Sequence, residues 1–88
     1  MTKCILKYPV SVGENLIPMP QHAEVIHFGE DPMGQLCLWA ITFQGDLTRA
    51  RKFLAVGTGH QFPANAAYIG TCKQGAYMWH LMEVPSYG

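Results

Sequence analysis

Apolar residues recur with a period of two through most of the chain, and the alternating stretches are separated by clusters of Gly, Pro, Asn and Asp. This is the pattern of short β-strands joined by turns, because successive side chains of a strand point to opposite faces. Helical spacing is nearly absent. Residues 2–10 predict a first strand, with Cys4, Leu6 and Tyr8 on one face and Lys3 and Lys7 on the other, ending near Pro9. Gly13 and Glu14 are expected to turn the chain into a short segment, residues 15–19. Pro18 and Pro20 cannot donate to a ladder, so that segment belongs at a sheet edge. Residues 23–28 alternate, and Asp31-Pro32-Met33-Gly34, with Pro at its second position, reads as the turn of a hairpin. The strand that follows, residues 35–43, carries Cys37, Trp39, Ile41 and Phe43 on one face and Leu36, Leu38 and Ala40 on the other. Two apolar faces predict the most central strand, covered on each side.

Beyond the turn Gln44-Gly45-Asp46, the polar residues 47–52 lead into the apolar run Phe53-Leu54-Ala55-Val56, with a short helical turn allowed near residues 46–50. Residues 57–65 hold too many breakers for regular structure and form the longest loop. Two closing strands, residues 67–73 and 76–84, meet at the hairpin-type turn Gln74-Gly75. The tail, residues 85–88, is expected to be mobile. The sum is a single all-β domain over residues 1–88, a small antiparallel sandwich or partly closed barrel of six or seven strands with little or no helix. A chain of 88 residues is too short for two independent cores.

Composition changes the picture in one respect. Charged residues make up 14% of the chain, against roughly 25% in an average soluble domain. Six basic and six acidic residues cancel, and a poorly charged surface at zero net charge favours self-association. A homo-oligomer is the expectation. The same balance lacks the basic excess that DNA or RNA would require. The longest apolar run, residues 36–41, is far short of the ~20 residues of a membrane span, and the N-terminus has no apolar stretch suited to a signal peptide. A cytoplasmic location follows as an expectation. Cys4, Cys37 and Cys72 fit neither a disulfide framework nor a metal spacing and read as buried thiols.

Candidate chemistry is sparse. Gly57-Thr58-Gly59-His60 is the most suggestive motif, since glycines let a backbone approach a phosphate and present amide donors to it. It lacks the following Lys-Ser/Thr of a phosphate loop and the helix of a dinucleotide fold, so a strand-end turn is the competing reading. Arg49, Arg51 and Lys52 form the one basic cluster; arginine grips a phosphate or carboxylate with two parallel bonds, and a solvated strand face is the plainer alternative. His22, His27, His60 and His80 have no zinc spacing, and no metal or cofactor is expected. His80 reads as a satisfied sheet histidine and His60 as an exposed one. Trp39, Tyr68, Tyr77 and Trp79 read as core or interface residues. No nucleophile lies beside a histidine and an acid in a recognisable arrangement, which predicts a binder without catalysis.

The order of the segments carries a resemblance. Lys7-Tyr8-Pro9, Met19-Pro20 followed by Ala23-Glu24-Val25-Ile26, Leu38-Trp39-Ala40, the Gly57 to His60 loop and Tyr68-Ile69-Gly70-Thr71 resemble a family of short uncharacterised proteins of tailed bacteriophages and prophages, over almost the whole chain. Met78-Trp79-His80 is bulkier than that pattern. The resemblance implies an accessory protein acting in the infected cytoplasm and brings no catalytic residues. Two functions are consistent with it. The first is inhibition of a host protein, such as a component of a CRISPR or other defence system. The second is sequestration of an anionic nucleotide signal, with Gly57, Thr58, Gly59 and His60 as donors and Arg49 or Arg51 as countercharge across a subunit interface. A minor structural role in the virion is a third possibility.

Overall fold

The structure, a computed structural model, describes residues 2–85. Seven strands follow one another: β1 (Lys3–Pro9), β2 (Gly13–Pro20), β3 (Glu24–Glu30), β4 (Leu36–Phe43), β5 (Thr48–Gly57), β6 (Ala67–Gln74) and β7 (Tyr77–Val84). They form two antiparallel sheets, β1-β4-β3 and β2-β5-β7-β6, which stay open and do not close into a barrel. The all-β expectation holds, and the sandwich is the form taken. Of the tail expected to be mobile, residues 85–88, the last three, 86–88, lie outside the described residues.

The two sheets share one core. Phe28, Leu36, Leu38 and Ala40 of the first sheet pack with Met19, Phe53, Ala55 and Leu81 of the second, and Val10 and Ala23 join them from the connections. The sheets come closest where β3 lies along β6. On the opposite side the edge strands β1 and β2 run apart, so the inward-facing Leu6 of β1 remains 42% exposed.

Local chemistry explains the corners. Pro9 ends β1, Val10 turns inward, and the Asn15 side chain clamps the bend by accepting from the Ser11 N–H at 2.8 Å and donating to the Ser11 carbonyl at 2.7 Å. The β3–β4 hairpin is closed by Asp31. Its Oδ1 accepts from the Met33 and Gln35 N–H groups, each at 2.9 Å, and its Oδ2 accepts from Lys7 Nζ at 2.9 Å. Gln74 and Tyr77 face each other across Gly75-Ala76. Gly75 has φ +58°, as the first central residue of a type II′ turn requires.

Four sequence expectations are corrected. Gly13 opens β2, and the bend precedes it. Residues 48–52 are the first half of β5, with no helical turn, because β5 needs them to pair with Leu16 to Pro20 of β2. The strand β4 is central, but only one face is fully covered: Trp39, Ile41 and Phe43 stay half-exposed because, among the described residues, no further layer packs on the outside of the first sheet. Of the thiols, Cys37 is buried, Cys72 half-buried and Cys4 exposed, the last because the second sheet does not reach β1.

Candidate binding surface

The outer face of the first sheet is assembled by register. Lys3 stands opposite Phe43, Ile5 opposite Ile41, and Lys7 opposite Trp39, while on the other side of β4 Glu24 meets Ile41 and His27 meets Trp39. The result is an apolar centre of Ile5, Ile41, Trp39 and Phe43 framed by Lys3, Lys7, Glu24 and His27. Ile5 is 58% exposed. Lys3 Nζ lies 4.8 Å from the centroid of the Phe43 ring, and the His27 ring sits 5.3 Å from that of Trp39, tilted by 49°. A β-bulge between Val25 and His27 aims this imidazole across the sheet. Gly29 makes room for it: a Cβ there would stand 2.8 Å from His27 Nε2.

Beside this patch, Lys7 and Asp31 hold each other in their charged forms. The hydrogen bond from Lys7 keeps the Asp31 carboxyl below the usual carboxylate range, with the Gln35 and Met33 amides adding to it. The same bond raises the Lys7 ammonium above its ordinary value. Burial, then the nearby Asp31 charge, pushes the Cys37 thiol up, which keeps it protonated and unreactive.

The Gly57 to His60 motif is a turn. The His60 N–H donates to the Gly57 carbonyl at 3.2 Å, and Gly59, third of the four residues, has φ +90°, the conformation a type II turn demands there. Both glycines thus have structural reasons: at Gly57 a Cβ would come within 3.3 Å of the His60 ring and 3.5 Å of Trp79. His60 is exposed, as expected. A recess of about 390 Å3 lies here, lined by Thr58, His60, Tyr77, Met78 and Trp79 among others, and the Tyr77 and Trp79 rings stack at 5.6 Å.

On the outer face of the second sheet, His80 is held at both ring nitrogens, by Thr58 Oγ1 and by Thr71 Oγ1, each at 2.8 Å. The Tyr68 hydroxyl joins Thr71 at 2.6 Å. A hydroxyl against an imidazole is half of a nucleophilic relay, but here the second ring nitrogen meets a threonine where the relay needs a carboxylate. The sequence reading of His80 as a satisfied sheet histidine holds. Tyr68 and Tyr77, read as core or interface residues, are each 64% exposed.

Arg49 and Arg51 lie at the other end of β5. Arg51 and Gly57 are six positions apart along one strand, roughly 20 Å, so a single chain does not bring the arginines to the loop. The Arg51 guanidinium is bound internally, Nε and Nη2 donating to the two Glu83 carboxylate oxygens at 2.7 and 2.8 Å and Nη1 to the Ala23 carbonyl at 2.6 Å. Arg49, Arg51 and Lys52 border a cleft of about 430 Å3 together with Glu83. No cluster of His, Cys, Asp and Glu able to hold a metal occurs among the described residues.

The exposed sheet face was missed as a site by the sequence reading, which placed Trp39 under cover. The signal available was a strand apolar on both faces in a chain too short to cover both.

A small open β-sandwich with an uncovered aromatic sheet face, and with no helix among its described residues long and apolar enough to cross a membrane, defines the class. The chain belongs to the DUF7352 family, a domain of unknown function, which it matches over residues 1–87. Neither the curated proteins nor the solved structures hold a match to it.

Proposed function

We propose that the chain is a phage-encoded accessory protein that works without catalysis, binding and inhibiting a host protein of an anti-phage defence system through the outer face of the β1-β4-β3 sheet. The observation that carries this reading is the half-exposed Trp39 at the centre of an apolar patch with a charged rim. Protein interfaces have that anatomy, with tryptophan prominent among the residues that dominate binding energy. The phage context rests on the resemblance carried by Lys7-Tyr8-Pro9, Leu38-Trp39-Ala40 and the Gly57 to His60 loop.

The test is infection of cells carrying an active defence system. Expression of the chain raises plaque formation, and the inhibited component co-purifies with it. Trp39→Ala weakens that complex by about 30-fold, the effect of losing a residue worth roughly 2 kcal/mol, while circular dichroism and melting stay near wild type. Unchanged affinity of the variant would remove this face from the account.

The Tyr77–Trp79 stack beside Thr58 and His60 favours a second reading, sequestration of a nucleotide signal whose base lies on the aromatic pair. Its phosphates would need Arg49 or Arg51 from another subunit. Native mass spectrometry of protein purified from infected cells separates the two readings, by a retained species of nucleotide mass or by none.

A further inference from the structure

The four edge strands are not equivalent. The β2 edge carries Pro18 and Pro20, β3 is broken by the bulge between Val25 and His27, and β6 by the irregularity between Tyr68 and Gly70. Prolines and bulges are devices that keep an edge from pairing with another chain. The β1 strand has neither within its ladder: seven residues run in unbroken register against β4, and its proline is the last of them. Every residue of β1 except Tyr8 is exposed, including aliphatic side chains on both faces, Ile5 outside and Leu6 inside.

We propose that β1 is the docking edge for a second copy of this chain, the two β1 strands pairing antiparallel about a dyad at Leu6. The residues of β1 select that partner and that register. Leu6 is the midpoint of Lys3–Pro9, so a dyad there pairs all seven residues. It sets Leu6 against Leu6, Cys4 against Tyr8, Ile5 against Lys7 and Lys3 against Pro9, with no like charges directly opposed. A dyad at Ile5 would set Lys3 against Lys7, which is repulsive. The Lys7 charge is already met by Asp31 at 2.9 Å, so its aliphatic stem can lie along Ile5 of the second copy. The product is a six-stranded sheet, β3-β4-β1-β1-β4-β3, in which Leu6 and Cys4 gain the cover that the second sheet does not provide. The low charge of the chain agrees with this. The proposal does not depend on the function proposed above.

Sedimentation velocity of the wild-type chain gives a dimer, and Leu6→Lys, which sets two ammonium groups on the dyad, gives a monomer with an unchanged circular dichroism spectrum. In a Cys4→Ser background, Leu6→Cys forms a covalent dimer under diamide, since directly opposed residues lie roughly 4.5–5.5 Å apart between Cα atoms, within disulfide reach. Ile5→Cys, offset by two residues from its counterpart, cross-links poorly. A wild-type monomer at every concentration up to the solubility limit overturns the proposal, and so does a dimer that survives Leu6→Lys. Preferential cross-linking through position 5, or a monomer that takes up a strand of a different protein at β1, overturns it as well. If Leu6→Lys does not fold, the two cysteine variants decide alone.

Discussion

Single residues carry much of the local definition of this small fold, and Gly59 is the sharpest case. Its φ of +90° is a conformation that costs a side chain roughly 1–2 kcal/mol, so Gly59→Ala lowers the unfolding free energy by about that amount in urea titrations. Gly57→Ala acts differently, through the His60 ring that a new methyl would press, and moves the His60 resonances in NMR spectra more than it moves stability. Asp31 is the second case. Its folded carboxyl lies below the ordinary range, so the stability it contributes is present above the unfolded carboxylate pKa and is lost as pH falls through the folded one. Asp46, lowered first by the His22 amide, acts in the same direction. Lys7 works on the other side: raised above 10.5, it contributes below that value and loses its contribution at higher pH. The melting temperature is therefore flat between the two limits and falls on the acid side, and Asp31→Asn makes the acid fall shallower without abolishing it, since Asp46 remains. These residues were only partly legible in the sequence. The turn at Asp31 could be read from the Pro and Gly that follow it, whereas the partner of Asp31, Lys7, is 24 positions away and meets it only because β1 pairs with β4.

At the scale of elements, period-two alternation made most of the strand positions legible in the sequence, because side chains of opposite character alternate between the two faces of a strand. The edge position of β2 was legible for a separate reason, its prolines. The first half of β5 was not. Its inward positions are Arg49 and Arg51, polar residues that mask the alternation, and the cleft they border with Gln21 and Glu83 gives them room. Arg51 is the strut there, tying β5 to Glu83 of β7 and to the Ala23 carbonyl at the start of β3. Arg51→Ala strands Glu83 and leaves that carbonyl without its donor, so chemical denaturation should show a loss of roughly 1.5–3 kcal/mol. Arg51→Lys recovers little, since an ammonium cannot span two carboxylate oxygens and a carbonyl in the planar arrangement the guanidinium provides. An arginine that looked like a ligand group in the sequence thus has a structural use inside one chain.

For the whole molecule, the alternation could not say which strand joins which sheet. The chain crosses between sheets at β1–β2, β2–β3 and β4–β5, and stays within one only for the two hairpins and the β5–β6 connection. Of the corners that make those crossings, the first is shaped by the buried Val10 and by the local bonds of Asn15 to Ser11, whereas Asp46 accepts from the His22 N–H 24 positions away, a partner set by tertiary packing. The same ambiguity hid the candidate surface, since Trp39 looks like a core residue until the second sheet is seen to cover only one side of β4. Edge protection follows from this layout too, and it has an arithmetic consequence. A chain that could pair along two edges would add copies without limit and grow into a fibre. With prolines or bulges on three edges and an unbroken ladder on the fourth, the molecule has a valence of one: any pairing through β1 consumes the last open ladder, and growth stops at two.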